Sequence, residues 1–267
     1  MAYALGNTVR KDIITQTEAF GDVSKRYIAT STEDIITEMN HFHQFAPVGF
    51  SNSQVRNNER EGFQKHTIML EAPDAEMIDG TKMRVVLFNS NDRSTSIRLY
   101  LGLYRDACAN DCVFGQDFMD PIFIRHTKKD WRSSVRNLMD EYENIQQKTD
   151  EMINRMMDKK LSYGDIGRYT ERLASAMNKE ITGEILDPMQ FNIAQRQEDT
   201  GKDLWSLYQR SQEHVLKGGV DRIIPQFDPE TNARLDPIIS KTHVITSDMN
   251  KIKMNRMVHD LAYEMVS

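Results

Sequence analysis

The stretch "TKMRVVLFNSNDRSTSIRLYLGLYR", residues 81–105, decides the fold expected of this chain. Two runs rich in β-branched, leucine and aromatic residues flank "NSNDRS", whose asparagine, serine and aspartate residues are typical of a turn. The pattern predicts two antiparallel strands joined by a short connection.

Side chains alternate between the faces of a strand, so the second run separates into two chemically different sets. Apolar residues occupy the face expected to be core: Ile97, Leu99, Leu101 and Leu103. Together with the preceding strand, the other face gathers arginine and aromatic residues: Arg84, Phe88, Arg98, Tyr100 and Tyr104. That face can stack bases and neutralise phosphates. Alternatively, its tyrosines lie under a helix and its arginines lie at the edge.

More strands are expected on both sides of this pair. Strand-like runs are "FQKHTIMLEA" at residues 63–72, "CVFG" at 112–115 and "PIFIRH" at 121–126, which together predict an antiparallel meander. Upstream, "TSTEDIITEMNHF" at residues 30–42 predicts a helix with a capping box between Thr30 and Glu33. An exposed loop is expected at residues 51–62.

A long amphipathic helix is predicted at residues 128–157, because apolar residues recur there at alternating spacings of four and three. The stripe is broken only at Thr149; its members are Trp131, Val135, Leu138, Tyr142, Ile145, Met152 and Met156. Such a stripe fits an oligomeric coiled coil, but a single helix packed on the sheet is the commoner arrangement.

The remaining sequence predicts a helical end. One helix is predicted over "LSYGDIGRYTERLASAMN", residues 161–178, with Ser162 and Asp165 as its caps. Another spans "DLWSLYQRSQEHVLKGG" and ends near Gly218, and a third covers the C terminus. Trp205, with Tyr208 and Val215, should face inward. The segment between the last two helices, residues 220–246, contains three prolines and predicts an extended loop.

The order of elements predicts an α+β fold in one domain, residues 1–267. Residues 1–50 are an N-terminal helix region, 51–126 a β-rich core built as a central meander, and 127–267 a helical part.

Composition excludes several classes of protein. A net charge of −6 argues against coating nucleic acid by bulk positive charge. No apolar run approaches the roughly eighteen residues of a membrane span, and "MAYALGNTVRKD" lacks a signal-peptide core, so a cytoplasmic protein is expected. Cys108 and Cys112 lack the second pair that a structural zinc site needs, which predicts thiols and no metal. Nucleotide, esterase and zincin motifs are missing, so neither a cofactor nor an enzyme is expected.

Positive charge nevertheless concentrates in one region. Residues 81–136 contain ten lysines and arginines against six aspartates, a local charge of +4, and the rest of the chain therefore sums to −10. The start of the long helix, with Thr127 as cap, is a candidate phosphate site with these side chains nearby: Arg125, His126, Lys128, Lys129 and Arg132. The two lysines would sit in the first turn, where the helix dipole disfavours them; solvated lysines paired with acids are the alternative.

Several blocks resemble a family found mainly in phages, prophages and plasmids, the phage/plasmid-like proteins of domain of unknown function 932 (DUF932). The blocks are "VVLFNSNDRSTSIRLYLGLYRDACANDCVFG", "IRHT", "LWSLYQRSQEHVLKGGV" and "NKIKMNRMVHDLAYEM". Two positions depart from the family pattern: Arg93 follows Asp92 where glycine is expected, and Asp111 follows Asn110 where glycine is usual. The resemblance implies origin and architecture and does not specify chemistry.

Two functions follow as expectations. The first is a phage nucleic-acid-binding protein that binds or anneals single-stranded DNA, since a meander followed by a long helix is also the order in ring-forming annealing proteins, which implies a homo-oligomer. The second is an interaction protein, for example an inhibitor of a host defence system, that binds a host protein through the acidic remainder or the loop 51–62. An enzyme with an unrecognised site is the weakest alternative.

Overall fold

The computed structural model describes residues 9–105, 110–113, 122–180 and 185–267, which group into two compact units. The first unit contains residues 9–105 and 122–149; the second contains 110–113, 150–180 and 185–267. Helices and antiparallel strands occur together, which confirms the α+β class. That the chain folds as a single domain stays a prediction.

An antiparallel sheet forms the centre of the first unit. Its strands are β1 (Ala46–Asn52), β2 (His66–Glu76), β3 (Thr81–Asn89) and β4 (Ile97–Arg105), in that spatial order. A short strand β5 (Asn110–Val113) follows in the chain, and β6 (Ile122–Ile124) pairs with β4. The predicted meander is therefore confirmed for β2, β3 and β4, while most of the block 106–121 lies outside the described residues.

The predicted alternation along β4 is confirmed. Leu99 lies opposite Leu87 and Leu101 lies opposite Val85, which places the leucines of β4 on the same face as the apolar residues of β3. All four predicted core residues are buried: Ile97, Leu99, Leu101 and Leu103. This face is the hydrophobic core of the first unit.

The connection between β3 and β4 accommodates one departure from the family pattern. Arg93 adopts a positive φ of 69°, the left-handed conformation that glycine takes most easily. Its guanidinium donates to the carbonyl oxygen of Asp22 at 3.0 Å, and the carboxylate of Asp92 accepts from the amide of Ser94 at 2.9 Å. These side-chain contacts hold a turn that would otherwise favour glycine.

Two short helices precede the sheet: α1 (Lys11–Ile14) and α2 (Thr32–Met39). The predicted cap of α2 at Thr30 is wrong by one residue. Ser31 caps the helix, because its hydroxyl accepts from the amide of Asp34 at 3.0 Å. The carbonyl of Thr30 instead accepts from the side-chain amide of Asn89 at 2.9 Å.

The long helix α3 spans Trp131–Asp158, and within the first unit it packs on the leucine face of the sheet. Every residue of the predicted apolar stripe is buried. The hydroxyl of Tyr142 donates to the carbonyl of Met83 at 3.4 Å, and its ring meets Phe45 edge-on at 5.5 Å. Thr149 is buried within the stripe because its hydroxyl donates to the carbonyl of Ile145 at 2.7 Å.

The second unit contains three further helices and a small sheet. The helices are α4 (Tyr163–Glu180), α5 (Leu204–Lys217) and α6 (Asp248–Tyr263). The predicted caps of α4 are confirmed: the amide of Ser162 donates to Asp165 at 2.9 Å, and the amide of Asp165 donates to the Ser162 hydroxyl at 3.2 Å. The predicted end of α5 at Gly218 and the burial of Trp205 are confirmed as well.

The extended loop predicted at residues 220–246 is wrong, because two strands of the small sheet form there. The sheet order is β7 (Ile185–Leu186), β8 (Asp221–Phe227) and β9 (Arg234–Lys241), all antiparallel. Pro225 coincides with a shift in the β8–β9 register, and Pro237 lies on the outer strand. A proline at an irregularity or on an edge strand costs few ladder hydrogen bonds, so these prolines do not prevent a hairpin.

Candidate nucleic-acid interface

The arginine and aromatic face of the first sheet forms as predicted and lies opposite the face that α3 covers. Arg84 pairs with Gly102, and Phe88 pairs with Arg98, which places both arginines on one side. Tyr142 of α3 meets the ring of Phe45, which lies on the leucine side because its neighbour Ala46 pairs with Glu71 on the arginine side. The tyrosines therefore do not lie under this part of the helix.

Most of this face is already occupied by contacts within the protein. Tyr100 is only 4% exposed and meets Phe88 edge-on at 5.5 Å. The guanidinium of Arg84 donates to the carboxylate of Glu71 at 2.8 Å and lies 3.3 Å from the ring centroid of Tyr104. Tyr100, Tyr104 and Arg84 therefore do not form an open surface for stacking bases.

One aromatic ring near this face is accessible. Phe123, on β6, is 57% exposed and lies opposite Arg98 in the strand register. The guanidinium of Arg98 is 5.4 Å from the centroid of the Phe123 ring, a cation–π distance. The sequence analysis missed Phe123, although the alternation of "PIFI" places it opposite the side chain of Ile124, which is buried.

Five exposed cationic side chains follow Phe123 along the chain, and we call this group the basic rim. Its members are Arg125, Lys128, Lys129, Arg132 and Arg136. Residues 121–136 contain these five cations and one acid, Asp130. The basic rim contains the four lysines and arginines predicted at the helix start and, in addition, Arg136.

The start of α3 differs from the prediction. The helix begins at Trp131, and the carboxylate of Asp130 accepts from the amide of Ser133 at 3.3 Å, so Asp130 and not Thr127 is the cap. Lys128 and Lys129 precede the helix, and the dipole penalty predicted for them does not arise. Hydrogen bonds from Ser133 lower the pKa of Asp130. This carboxylate already occupies the positive end of the helix.

A buried carboxylate holds two members of the rim in place. Glu38, at the end of α2, is 4% exposed. The Nε atom of Arg136 lies 2.6 Å from one of its oxygens, and the Nε of Arg132 lies 3.3 Å from the other. Five cations less the two carboxylates Glu38 and Asp130 leave a charge of +3 on this group.

His126 does not belong to the accessible surface. Its ring is buried, stacks on Tyr27 at 4.9 Å between centroids, and donates from Nδ1 to the carbonyl of Ile28 at 3.2 Å. Burial lowers its pKa, so the imidazole is neutral at pH 7. Its role in the described structure is to hold the chain before α2 against β6.

No metal centre is formed by the residues that the structure describes, where no group of three or more histidine, cysteine, aspartate and glutamate side chains could hold an ion. Cys108 and the side chain of Cys112 lie outside the described residues, so their predicted thiol state stays a prediction. In the described ranges, none of the helices combines the length and apolarity that a membrane crossing requires.

Comparison with known proteins identifies the family of this chain. The family model "Domain of unknown function (DUF932)" matches residues 19–252, a range that includes the basic rim and the β8–β9 hairpin. The chain belongs to the DUF932 family. Two relatives in Escherichia coli (strain K12), the UPF0380 proteins YfjQ and YafZ, are each 27% identical over 205 residues, covering 74% of this chain and 70% of the relative. No solved structure matches this DUF932 chain.

Proposed function

We propose that this DUF932 protein binds single-stranded nucleic acid, DNA in the first instance, through the basic rim and Phe123. The observation that carries the proposal is an exposed aromatic ring, Phe123, followed along the chain by five exposed cations up to position 136. Proteins that bind single strands combine positive charge along the backbone with aromatic rings on which bases stack. In this proposal the protein is a binding protein and not an enzyme, needs no cofactor, and acts in the cytoplasm of a host cell.

The charge distribution supports one oriented contact. The whole chain carries −6, so repulsion elsewhere opposes nonspecific coating, and attraction is confined to the rim. If all five rim cations contact phosphates, the logarithm of affinity for a single strand should fall with the logarithm of salt concentration with a slope of about −3.5. The Arg98 guanidinium on one side of Phe123 leaves the exposed part of the ring for a base.

The test is a fluorescence-anisotropy titration of a labelled oligonucleotide of about 20 residues with the full chain. Measurements at about 50 and 200 mM salt give the slope. The double variant Lys128→Ala/Lys129→Ala should bind more weakly, and its slope should flatten by about 1.4 units. Its thermal stability should be unchanged, because both lysines are exposed and precede the helix.

A matched control is the variant Lys148→Ala/Lys159→Ala, which removes the same charge from two exposed positions outside the rim. It should bind as the parent does. Phe123→Ala should weaken binding without changing the salt slope, since stacking involves no counterion release. Absence of binding by the parent at low salt, or equal binding by the rim and control variants, would refute the proposal.

A second candidate, binding to a host protein such as a defence component, has its own observation in the second unit. The outer strand β9 and its neighbour expose large apolar side chains: Phe227, Leu235, Ile238 and Ile239. Exposed apolar patches on an edge strand favour protein contacts. The loop predicted at 51–62 supports this candidate less, because its first two residues belong to β1, Arg60 bonds Asp92 at 2.9 Å and Glu61 bonds Arg10 at 3.1 Å. If this candidate is right, a purified host target should bind the parent protein, and Ile239→Asp should abolish that binding. The parent protein should then not bind single-stranded nucleic acid.

A further inference from the structure

A cavity of about 510 Å³ lies in the second unit, where α4 and α5 begin. Its apolar wall is formed by Leu161, Ile166 and Ala194. Tyr163 also lines it and is 90% exposed, so its ring is available at the mouth. A volume of this size is in the range of pockets that bind small organic molecules.

The buried charged group of this cavity is Arg210, which reaches it from α5 and is only 5% exposed. Its guanidinium donates to neutral oxygens: the carbonyls of Asp199 and Gly201, the latter at 2.9 Å, and the side-chain oxygen of Asn192 at 2.9 Å. Its Nε is buried without a hydrogen-bond partner in the described structure. These bonds fix the position of the guanidinium and leave its positive charge uncompensated by a bonded carboxylate.

The nearest acids are committed to other groups. The carboxylate of Asp199 pairs with Arg196 at 2.7 Å. That of Asp203 caps α5 by accepting from the amide and the hydroxyl of Ser206, both at 2.9 Å. Burial accordingly lowers the pKa of Arg210, although both aspartates act to raise it. A buried cation without a bonded anion is costly, and a bound anion would relieve that cost.

Further polar groups around the cavity suit an anion. Lys202 is exposed and lines the cavity. The hydroxyls of Ser162 and Thr200 already donate to Asp165 and to the carbonyl of Gln197, so they add no free donor. Two of the ten described lining residues are cationic and none is acidic. At the start of α4 the amide of Asp165 already donates to the Ser162 hydroxyl, and at the start of α5 the amide of Ser206 donates to Asp203. The attraction therefore comes from the two cationic side chains.

We propose that this cavity binds a small organic anion. Its phosphate or carboxylate group would pair with Arg210 and Lys202, and its planar or apolar body would lie along Leu161 and Ile166 beneath the ring of Tyr163. This site is separate from the basic rim, since every residue that lines it belongs to the second unit. We therefore expect ligand binding here to persist when residues of the rim are replaced.

Isothermal titration calorimetry on the full chain tests the site with three probes: adenosine 5′-monophosphate, benzoate and inorganic phosphate. At least one of the first two should bind with a Kd below about 1 mM, and inorganic phosphate should bind more weakly because it lacks a body to bury. Which of the two binds more tightly distinguishes a phosphate from a carboxylate ligand.

Three variants locate the binding. Lys202→Glu should weaken it at least about tenfold by reversing an exposed charge at the cavity edge, and Ala194→Trp should abolish it by filling the cavity. Lys159→Glu makes the same charge reversal on an exposed side chain that does not line this cavity, and should bind as the parent does. Circular dichroism shows whether each variant is folded.

Arg210 itself is a poor test position, because removing it would leave three carbonyl oxygens without their donor. The proposal is overturned if neither organic probe binds at about 10 mM. It is equally overturned if Ala194→Trp or Lys202→Glu, each folded, binds the probes with the affinity of the parent. Loss of probe binding in Lys128→Ala/Lys129→Ala would contradict the independence of the two sites.

Discussion

Two buried histidines should make the first unit sensitive to mild acid. His66 lies in a network that requires its neutral form: its Nδ1 donates to the carbonyl of Gln64 at 3.0 Å, and its Nε2 accepts from the hydroxyl of Thr32 at 2.7 Å. The side-chain amide of Asn89 in turn donates to the same hydroxyl oxygen at 3.1 Å. A proton on Nε2 would force the Thr32 hydroxyl to turn away from it. Burial keeps the pKa of His66 below its usual 6.5, although the bond to Gln64 and the charge of Asp92 act to raise it.

His126 adds a second group of the same kind. Burial lowers its pKa, although the main-chain carbonyls of Ile28 and Thr95 act to raise it. Below the unfolded pKa of 6.5, the unfolded chain binds protons at these positions that the folded unit does not. The free energy of unfolding must then fall as the pH falls.

The size of this loss has an upper bound. Between about pH 7 and pH 5.5, each histidine that remains neutral in the folded unit can lower the free energy of unfolding by at most about 1.3 kcal/mol. For the pair the limit is about 2.5 kcal/mol. The aspartates whose pKa is lowered, such as Asp130, affect the free energy of unfolding only at lower pH, because a carboxyl in the unfolded chain titrates near 3.8. The window between pH 7 and 5.5 therefore isolates the histidines.

Urea unfolding monitored by tryptophan fluorescence measures the effect. The chain has two tryptophans, Trp131 in the first unit and Trp205 in the second, so a Trp205→Phe background leaves a reporter for the unit that holds both histidines. The double variant His66→Gln/His126→Gln should lose most of the pH dependence, whereas His41→Gln, at an exposed position, should retain it. An unfolding midpoint that is equal at both pH values in the parent would refute the reasoning.

Two further substitutions test the structure. Gly218→Ala should destabilise the second unit by more than about 1 kcal/mol, because Gly218 has φ 74° and an added Cβ would lie 2.5 Å from the carbonyl oxygen of Thr242. Gly219→Ala, with φ 89° but open space around the added Cβ, should lower the free energy of unfolding less in the same urea titration. Equal losses in the two variants would contradict the claim that the clash with Thr242 adds to the backbone strain. Glu38→Gln should tighten binding to single strands by roughly two- to tenfold, measured by anisotropy; weaker binding would show that the carboxylate positions the rim rather than neutralising it.

The sequence by itself determined the elements whose signal is local and periodic. Alternation along residues 97–103 predicted the buried face of β4, and the stripe from Trp131 to Met156 predicted α3, because a strand or helix repeats its buried positions with the period of its own backbone. The caps of α4 at Ser162 and Asp165 and the end of α5 at Gly218 were equally local, since each satisfies backbone groups within one turn.

Only the tertiary structure decided which polar groups are accessible and which are already paired. Tyr100 and Tyr104 shared the predicted face, but packing against Phe88 and Arg84 removed them from the accessible surface. Glu38 meets Arg136 across 98 positions of the chain, and Arg210 takes its acceptors from the loop before α5. Such pairings depend on chain segments brought together by folding, and residue spacing along the sequence contains no information about those distances.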